Sequence, residues 1–225
     1  MALSAPQSVP PSSTQYHDNF IDRLFIALFS RKMASALGTT NITPGYEGFV
    51  ELSKRIMIGR SPKEQQAMVA VVLQSLVPAP ILWGIRTFFS PTRWVCEWNA
   101  WFAAQLFEWL VGPCEVTSVE LENDVGDRYS QTSNVHIKKC RYLEESTCVG
   151  LCVNLCKVPT QAFFTEKFGI PVTMNPNFED LSCDMIFGQT PPPLEDDETV
   201  YQQPCFTTEC AIASPKAPTC PNVRA

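Results

Sequence analysis

Apolar positions recur at helical spacing through the first half of the chain and change to alternation past its middle. Over residues 17–37, Phe20, Leu24, Leu28 and Phe29 fall on one stripe. Asp18 offers an N-cap there and Gly38 a stop, which predicts an amphipathic helix. A second helix is predicted over 45–58, where Phe49, Val50, Leu52, Ile56 and Met57 are apolar. Ser61-Pro62-Lys63-Glu64 joins a capping box to a proline at the first helical position. The apolar run that follows, Met68 to Val77, ends before Pro78, and a short helical piece is expected over 80–89. Ser90-Pro91 opens the next helix by the same device, and Gly112-Pro113 closes it.

That helix, over 91–111, is the most apolar. It holds Trp94, Trp98, Trp101, Phe102, Phe107 and Trp109, together with Glu97 and Glu108. Eleven residues at helical pitch bring the two carboxylates within about 20° of each other, a narrow polar stripe on a wide apolar surface. Two carboxylates in mid-bilayer are expensive, which argues against a transmembrane span. A central core helix, a wall for an apolar ligand and a face resting on a membrane all fit the pattern.

Beyond Pro113 the period shortens. Val116, Val119 and Leu121 mix with polar residues, Val135 and Ile137 alternate with His136 and Lys138, and Asn123–Asp127 is rich in turn formers. A β-hairpin with a long connection is predicted, with His136 on its surface. Helix returns over 142–168, broken near Pro159, and Val172–Met174 and Asp184–Phe187 read as short strands. Pro191-Pro192-Pro193 and Glu195-Asp196-Asp197-Glu198 signal an exposed acidic loop. The expected fold is α+β: a predominantly helical N-terminal half, a β-hairpin, then a cysteine-bearing helix with short strands. Residues 1–16 read as a disordered Ser/Pro/Gln-rich leader with no visible signal or transit peptide, 17–210 as one domain, and 211–225 as a flexible tail. Within the domain, 17–112 is apolar and Trp-rich and 113–210 is Cys-rich.

Composition sharpens that division. The 225 residues are 45% hydrophobic, a globular share, but only 18% charged. The net charge of −6 argues against nucleic acid as the main partner. All five tryptophans precede position 113, and nine of the ten cysteines follow it. No phosphate-binding glycine loop, dinucleotide fingerprint, zinc-protease helix or nucleophile elbow occurs.

The informative stretch runs from Cys140 to Cys156. Cys148, Cys152 and Cys156 recur every four residues and share one face of a helix. Along a straight α-helix Cys148 and Cys156 would stand about 12 Å apart, too far for one tetrahedral ion with bonds of about 2.3 Å. Three arrangements remain open: unwinding at Gly150, an adjacent pair joined by Cys140, Cys183 or Cys205, or a larger iron–sulfur cluster. Disulfides and simple packing of small thiols are the bland alternatives.

The blocks Cys140–Glu145, Cys148, Cys152, Cys156–Gln161, Pro176–Cys183, Phe187-Gly188 and Pro204-Cys205-Phe206 resemble the carotenoid isomerase family of plant plastids. Trp109–Pro113 fits as well, and the similarity covers about 17–210. The resemblance implies an iron-containing plastid enzyme that interconverts all-trans and 9-cis β-carotene, the entry step to strigolactone hormones. It leaves the direction open, because relatives act on other carotenoids or in reverse. The sequence departs from the family in the spacing of Cys205 and Cys210, in a longer hairpin loop over 122–133, and in the tail with Cys220, which leaves Cys210 and Cys220, like Cys114, without a role.

The implied metal ligands are Cys140, Cys148, Cys152, Cys156, Cys183 and Cys205. The Trp-rich half offers material for an apolar pocket, and low charge with amphipathic helices suits peripheral contact with plastid membranes. Glu144 is the candidate for an alternative route by protonation of the polyene. A non-catalytic carotenoid-binding protein and an iron–sulfur electron carrier are the competing functions.

Overall fold

The computed structural model describes residues 14–122 and 126–201. Six helices come first: α1 (Phe20–Leu37), α2 (Gly45–Met57), α3 (Pro62–Leu76), α4 (Ala79–Phe88), α5 (Arg93–Leu106) and α6 (Glu108–Val111). The hairpin β1 (Cys114–Glu122) and β2 (Arg128–Ile137) follows, then α7 (Arg141–Ser146). A helical run over 149–168 comes next, with α8 (Val158–Phe163) flanked by π-helical turns at Leu151–Lys157 and Phe164–Phe168. Strands β3 (Val172–Pro176) and β4 (Cys183–Phe187) and the short α9 (Glu198–Tyr201) complete the order. The fold is α+β, as the pattern predicts, but the sheet is larger than a hairpin. It is a four-stranded antiparallel sheet in the order β1-β2-β4-β3.

The caps are local chemistry. At α1 the cap is Asn19, one residue past the expected Asp18. Its side chain accepts from the Ile21 and Asp22 N–H groups at 2.7 and 3.1 Å, and Asp22 accepts from the Asn19 N–H at 2.8 Å. Asp18 is drawn away by Arg141, at 2.5 Å. Gly38 closes the helix at φ 66°, a left-handed conformation that costs glycine nothing. At α3, Glu64 accepts from the N–H and hydroxyl of Ser61, as the capping box predicts.

Several expectations are corrected. Ser90-Pro91 does not open α5; Thr92 caps it through its hydroxyl to the Val95 N–H, and the helix breaks at Phe107 before α6. The break separates Glu97 from Glu108, so no continuous polar stripe forms. The hairpin strands run on to Glu122 and resume at Arg128, leaving a short connection rather than a long one. The helix expected over 142–168 is interrupted at Thr147, which takes a left-handed φ of 49°, and not at Pro159. Proline lacks an N–H, and the preceding π turn, in which the Val158 N–H reaches back to the Val153 carbonyl, absorbs it without a break. The acidic loop is not wholly exposed, because Asp197 is buried and Val200 packs on Val149, Val153 and Val158. Of the leader expected over 1–16, residues 14–16 are tied to the fold through Glu144; the rest, like the tail over 211–225, lies outside the described residues.

One hydrophobic core takes residues from both halves of the chain, from Ile26 on α1 to Phe187 on β4. On the sheet, Val135, Ile137, Met174, Cys183, Met185 and Phe187 are buried, and the rows Val135–Met185–Met174 and Ile137–Cys183–Pro176 cross it. His136 alternates to the other face, as expected, where its Nδ1 lies 2.9 Å from the Asp184 carboxylate. The buried sheet face and the helices thus enclose the space described next.

Candidate active site: an apolar cavity backed by thiols

Between helices α1 to α6, the 149–168 run and the buried sheet face lies a cavity of about 660 Å³. That is within the ~300–1,000 Å³ usual for ligand sites. Its walls are almost wholly apolar. Phe29 and Phe49 meet Trp109 with ring centroids 4.9 and 5.7 Å apart and close one end. Phe164 stacks on Phe168 at 5.0 Å, and Met174 and Met185 contribute from the sheet. The polar exceptions are few: Ser53, Asn99, Tyr142, Cys156 and Thr160. Ser53 donates to the Phe49 carbonyl at 3.0 Å and also meets the Tyr142 hydroxyl, so these two buried polar groups satisfy each other inside the wall.

The tryptophans divide unexpectedly. Trp109 alone of the five is buried, whereas Trp83, Trp94, Trp98 and Trp101 are 49 to 67% exposed. On α5 the small residues Ala100, Ala103 and Ala104 face inward and the indoles face out. The segment is a cavity wall rather than a core helix.

Cys156 joins this cavity to the thiols. It is half-buried and lines the cavity; Cys140, Cys148, Cys152 and Cys183 are buried and do not line it, and Cys140, Cys152 and Cys183 interact with Cys156. Three elements bring them together. Cys140 stands at the start of α7, its N–H bonded to the Leu181 carbonyl at 2.7 Å; Cys152 and Cys156 lie on the first π turn; Cys183 opens β4 on the buried face. Gly150 stays helical, so the chain adapts by widening its turns rather than by unwinding.

Charge on any one of Cys140, Cys152, Cys156 and Cys183 would be felt within that group. Burial, then Cys156, Cys183 and Cys140, push the Cys152 thiol well up, and burial, then Cys140 and Cys156, do the same to Cys183. Burial pushes Cys140 up to about 11 and Cys156 up to about 12, so these thiols are protonated at neutral pH. Disulfides are not formed among the described cysteines. The donor set suits a soft metal, but among the described residues no three His, Cys, Asp or Glu side chains are arranged around one ion position. Cys205, Cys210 and Cys220 lie outside the described residues. Cys114 is set apart on β1, its thiol donating to the Ala104 carbonyl at 3.3 Å.

Next to Cys156 the chain buries a cation that periodicity did not single out. Lys157 is 0% exposed, pairs with Asp197 at 2.8 Å and donates to the Met174 carbonyl. It counters the upward push on Cys152 and Cys183. A lysine inside the apolar run Leu155–Pro159 is the only signal the sequence held for it.

Glu144 is placed otherwise than a proton donor to a cavity ligand would be. It does not line the cavity. Its carboxylate accepts from the Thr14 N–H and hydroxyl (3.1 Å each), the Tyr16 hydroxyl (2.8 Å) and Lys139 Nζ (2.7 Å). Burial raises its pKa, but hydrogen bonds from Lys139, Thr14 and Tyr16 outweigh it and hold the carboxyl below its ordinary range. Arg141 beside it is also structural, clamped by Asp18 and Glu145 and lying 3.7 Å from the Tyr46 ring centroid.

No solved structure matches the chain. Residues 109–196 match the family described as Beta-carotene isomerase D27-like, C-terminal. These residues include the thiol set and the buried Lys157. The chain is 42% identical over 191 residues to "Beta-carotene isomerase D27, chloroplastic" of Medicago truncatula, covering 85% of this chain and 73% of that protein. It is 37% identical to the protein of the same name in Arabidopsis thaliana, covering 84% and 70%. With that much of both relatives covered at such identity, the chain belongs to the β-carotene isomerase D27-like family.

Proposed function

We propose that this protein is a plastid isomerase interconverting all-trans and 9-cis forms of β-carotene or a closely related carotenoid. The observation that carries the reading is the cavity itself: a large space with almost wholly apolar walls, one of which holds the Cys156 thiol that interacts with buried Cys140, Cys152 and Cys183. A carotene has no polar handle, so shape and apolar contact must hold it. The aromatic walls exclude water and fix the polyene in place, while Met174 and Met185 adapt to its outline. Both relatives carry the isomerase name and the chloroplast label, which supports the reaction and the compartment.

Iron is the metal we assign to the thiols, with Cys140, Cys148, Cys152, Cys156 and Cys183 as donors and Cys205 completing the set. Their chemistry fits a soft redox metal; their described placement does not yet surround one ion. Such a metal, when bound, supplies reversible one-electron exchange, which lowers the order of a conjugated double bond without consuming a cofactor. The chain's own part is to give up the thiol protons to solvent so that the sulfurs can serve as donors, and the buried Lys157 charge eases that release at Cys152 and Cys183. Glu144, ionised and outside the cavity, offers no support for polyene protonation.

The test is incubation of anaerobically purified protein with all-trans and with 9-cis β-carotene, followed by chromatographic analysis of the isomers and metal analysis of the same preparation. Conversion from either side toward one common ratio is expected, with iron present. Stoichiometric binding at an unchanged isomer ratio would make the protein a pigment carrier. Undiminished conversion by iron-free protein would remove the metal from the proposal.

A further inference from the structure

The cavity opens on a surface that soluble proteins seldom leave bare. Leu28, Phe89, Trp94, Trp98 and Phe102 line the cavity and are also 39 to 66% exposed, so they form its rim. Outward from them the apolar surface continues on three helices. On α4, Trp83 and Phe88 are 67 and 75% exposed and face each other edge-on at 6.3 Å. On α5, Trp101 is 56% exposed, and on α1, Phe20 is 81% exposed. So large an aromatic face marks an interaction site.

Its charge pattern points to the occupant. Between Glu64 and Glu97 the chain has no carboxylate, and its charged residues there are Arg86 and Arg93, both exposed. Glu97, at the far end, turns away toward β2, accepting from Arg93 at 3.0 Å and from the Thr132 N–H at 3.1 Å. Tryptophans with flanking arginines on an apolar face are the chemistry of the boundary between headgroups and acyl chains. No single helix among the described residues is long and apolar enough to cross a membrane. The bent pair α3 and α4, which meet at 86°, has the length and composition for lipid but the shape of something lying on it.

We propose that the face formed by α4, the exposed aromatic side of α5 from Trp94 to Phe102 and the outer stripe of α1 docks on a bilayer, with the cavity mouth against the lipid. A ligand with no polar group would then pass from acyl chains into the cavity without crossing water. Docking rests on the exposed face and not on the isomerase reading, so it is measured without substrate.

Flotation of the full-length protein with vesicles of phosphatidylcholine, with and without phosphatidylglycerol, tests it. The protein is expected to float with both, more strongly with the anionic ones, and its tryptophan emission is expected to shift to the blue and be quenched by acyl-brominated lipid. The pair Trp83→Ser and Phe88→Ser removes two side chains that do not line the cavity. It is expected to weaken flotation on the order of tenfold or more, while leaving the unfolding midpoint unchanged. Failure to float with either vesicle, or flotation unchanged in that pair, would overturn the proposal. A dimer in light scattering that the same substitutions dissociate would overturn it too, assigning the face to a second copy.

Discussion

At the scale of single residues, Cys152 and Glu144 are both titratable groups in the Cys140–Cys156 stretch, and their surroundings give them opposite charge states. Cys152 is buried among sulfurs that would repel its thiolate, so it holds its proton until a metal takes its place. Cys152→Ser is expected to lose both iron and isomerisation, read by metal analysis and product chromatography. Cys96→Ser, beneath Gly188 and away from the set, is expected to keep both. Glu144 is ionised and anchors residues 14–16. Its folded pKa is lowered, so the stability it contributes is present above its ordinary value of 4.5 and is lost as pH falls through the folded value. Glu144→Gln should therefore lower the melting temperature at pH 7, and the gap to the wild type should close as the pH falls through the lowered folded-state value of Glu144. The thiols were legible because cysteine is conspicuous in any context. The two roles of the acid, charged and structural, were not, because Thr14, Tyr16 and Lys139 meet it only in three dimensions.

At the scale of elements, caps were the most readable features. The capping box at Ser61 and the glycine at position 38 act where local chemistry says they should. The cap of α1 was misplaced by one residue because a distant arginine claims Asp18. The π turns were illegible, since apolar periodicity does not separate them from α-helix, and they set how Cys152 and Cys156 are presented. The tie between the first π turn and the segment before α9 is the buried pair Lys157–Asp197. Breaking one side leaves a bare buried charge, so Lys157→Met is expected to cost about 3–5 kcal/mol in denaturant unfolding. The double change Lys157→Met with Asp197→Val should recover most of that loss. Its burial was hidden because the partner carboxylate sits in a stretch that composition alone marks as exposed.

At the scale of the whole molecule, a Trp- and Phe-rich half could have filled its own core. It does so only in part, with Tyr46, Phe49 and Trp109: on α5 the small residues Ala100, Ala103 and Ala104 face in while Trp94, Trp98 and Phe102 lie at the rim, which leaves room for a ligand. Sequence patterning gave the fold class and the apolar material, but which apolar side chains line a space and which fill one depends on how the helices and the sheet meet. Ala103 lines the cavity at a buried position. Ala103→Leu is expected to raise the KM for carotene several-fold while iron content and melting temperature stay near those of the wild type, as checked by initial rates and thermal unfolding.

The position of Cys156 has one further consequence. A sulfur at the end of a greasy corridor is screened by partition: uncharged aryl maleimides can travel the route, whereas sulfonated or quaternary-ammonium thiol reagents stay in water. A bound polyene would block the same corridor, so in iron-free protein the rate at which the aryl reagent labels this thiol, slow because burial holds its proton, becomes a gauge of occupancy that needs no turnover.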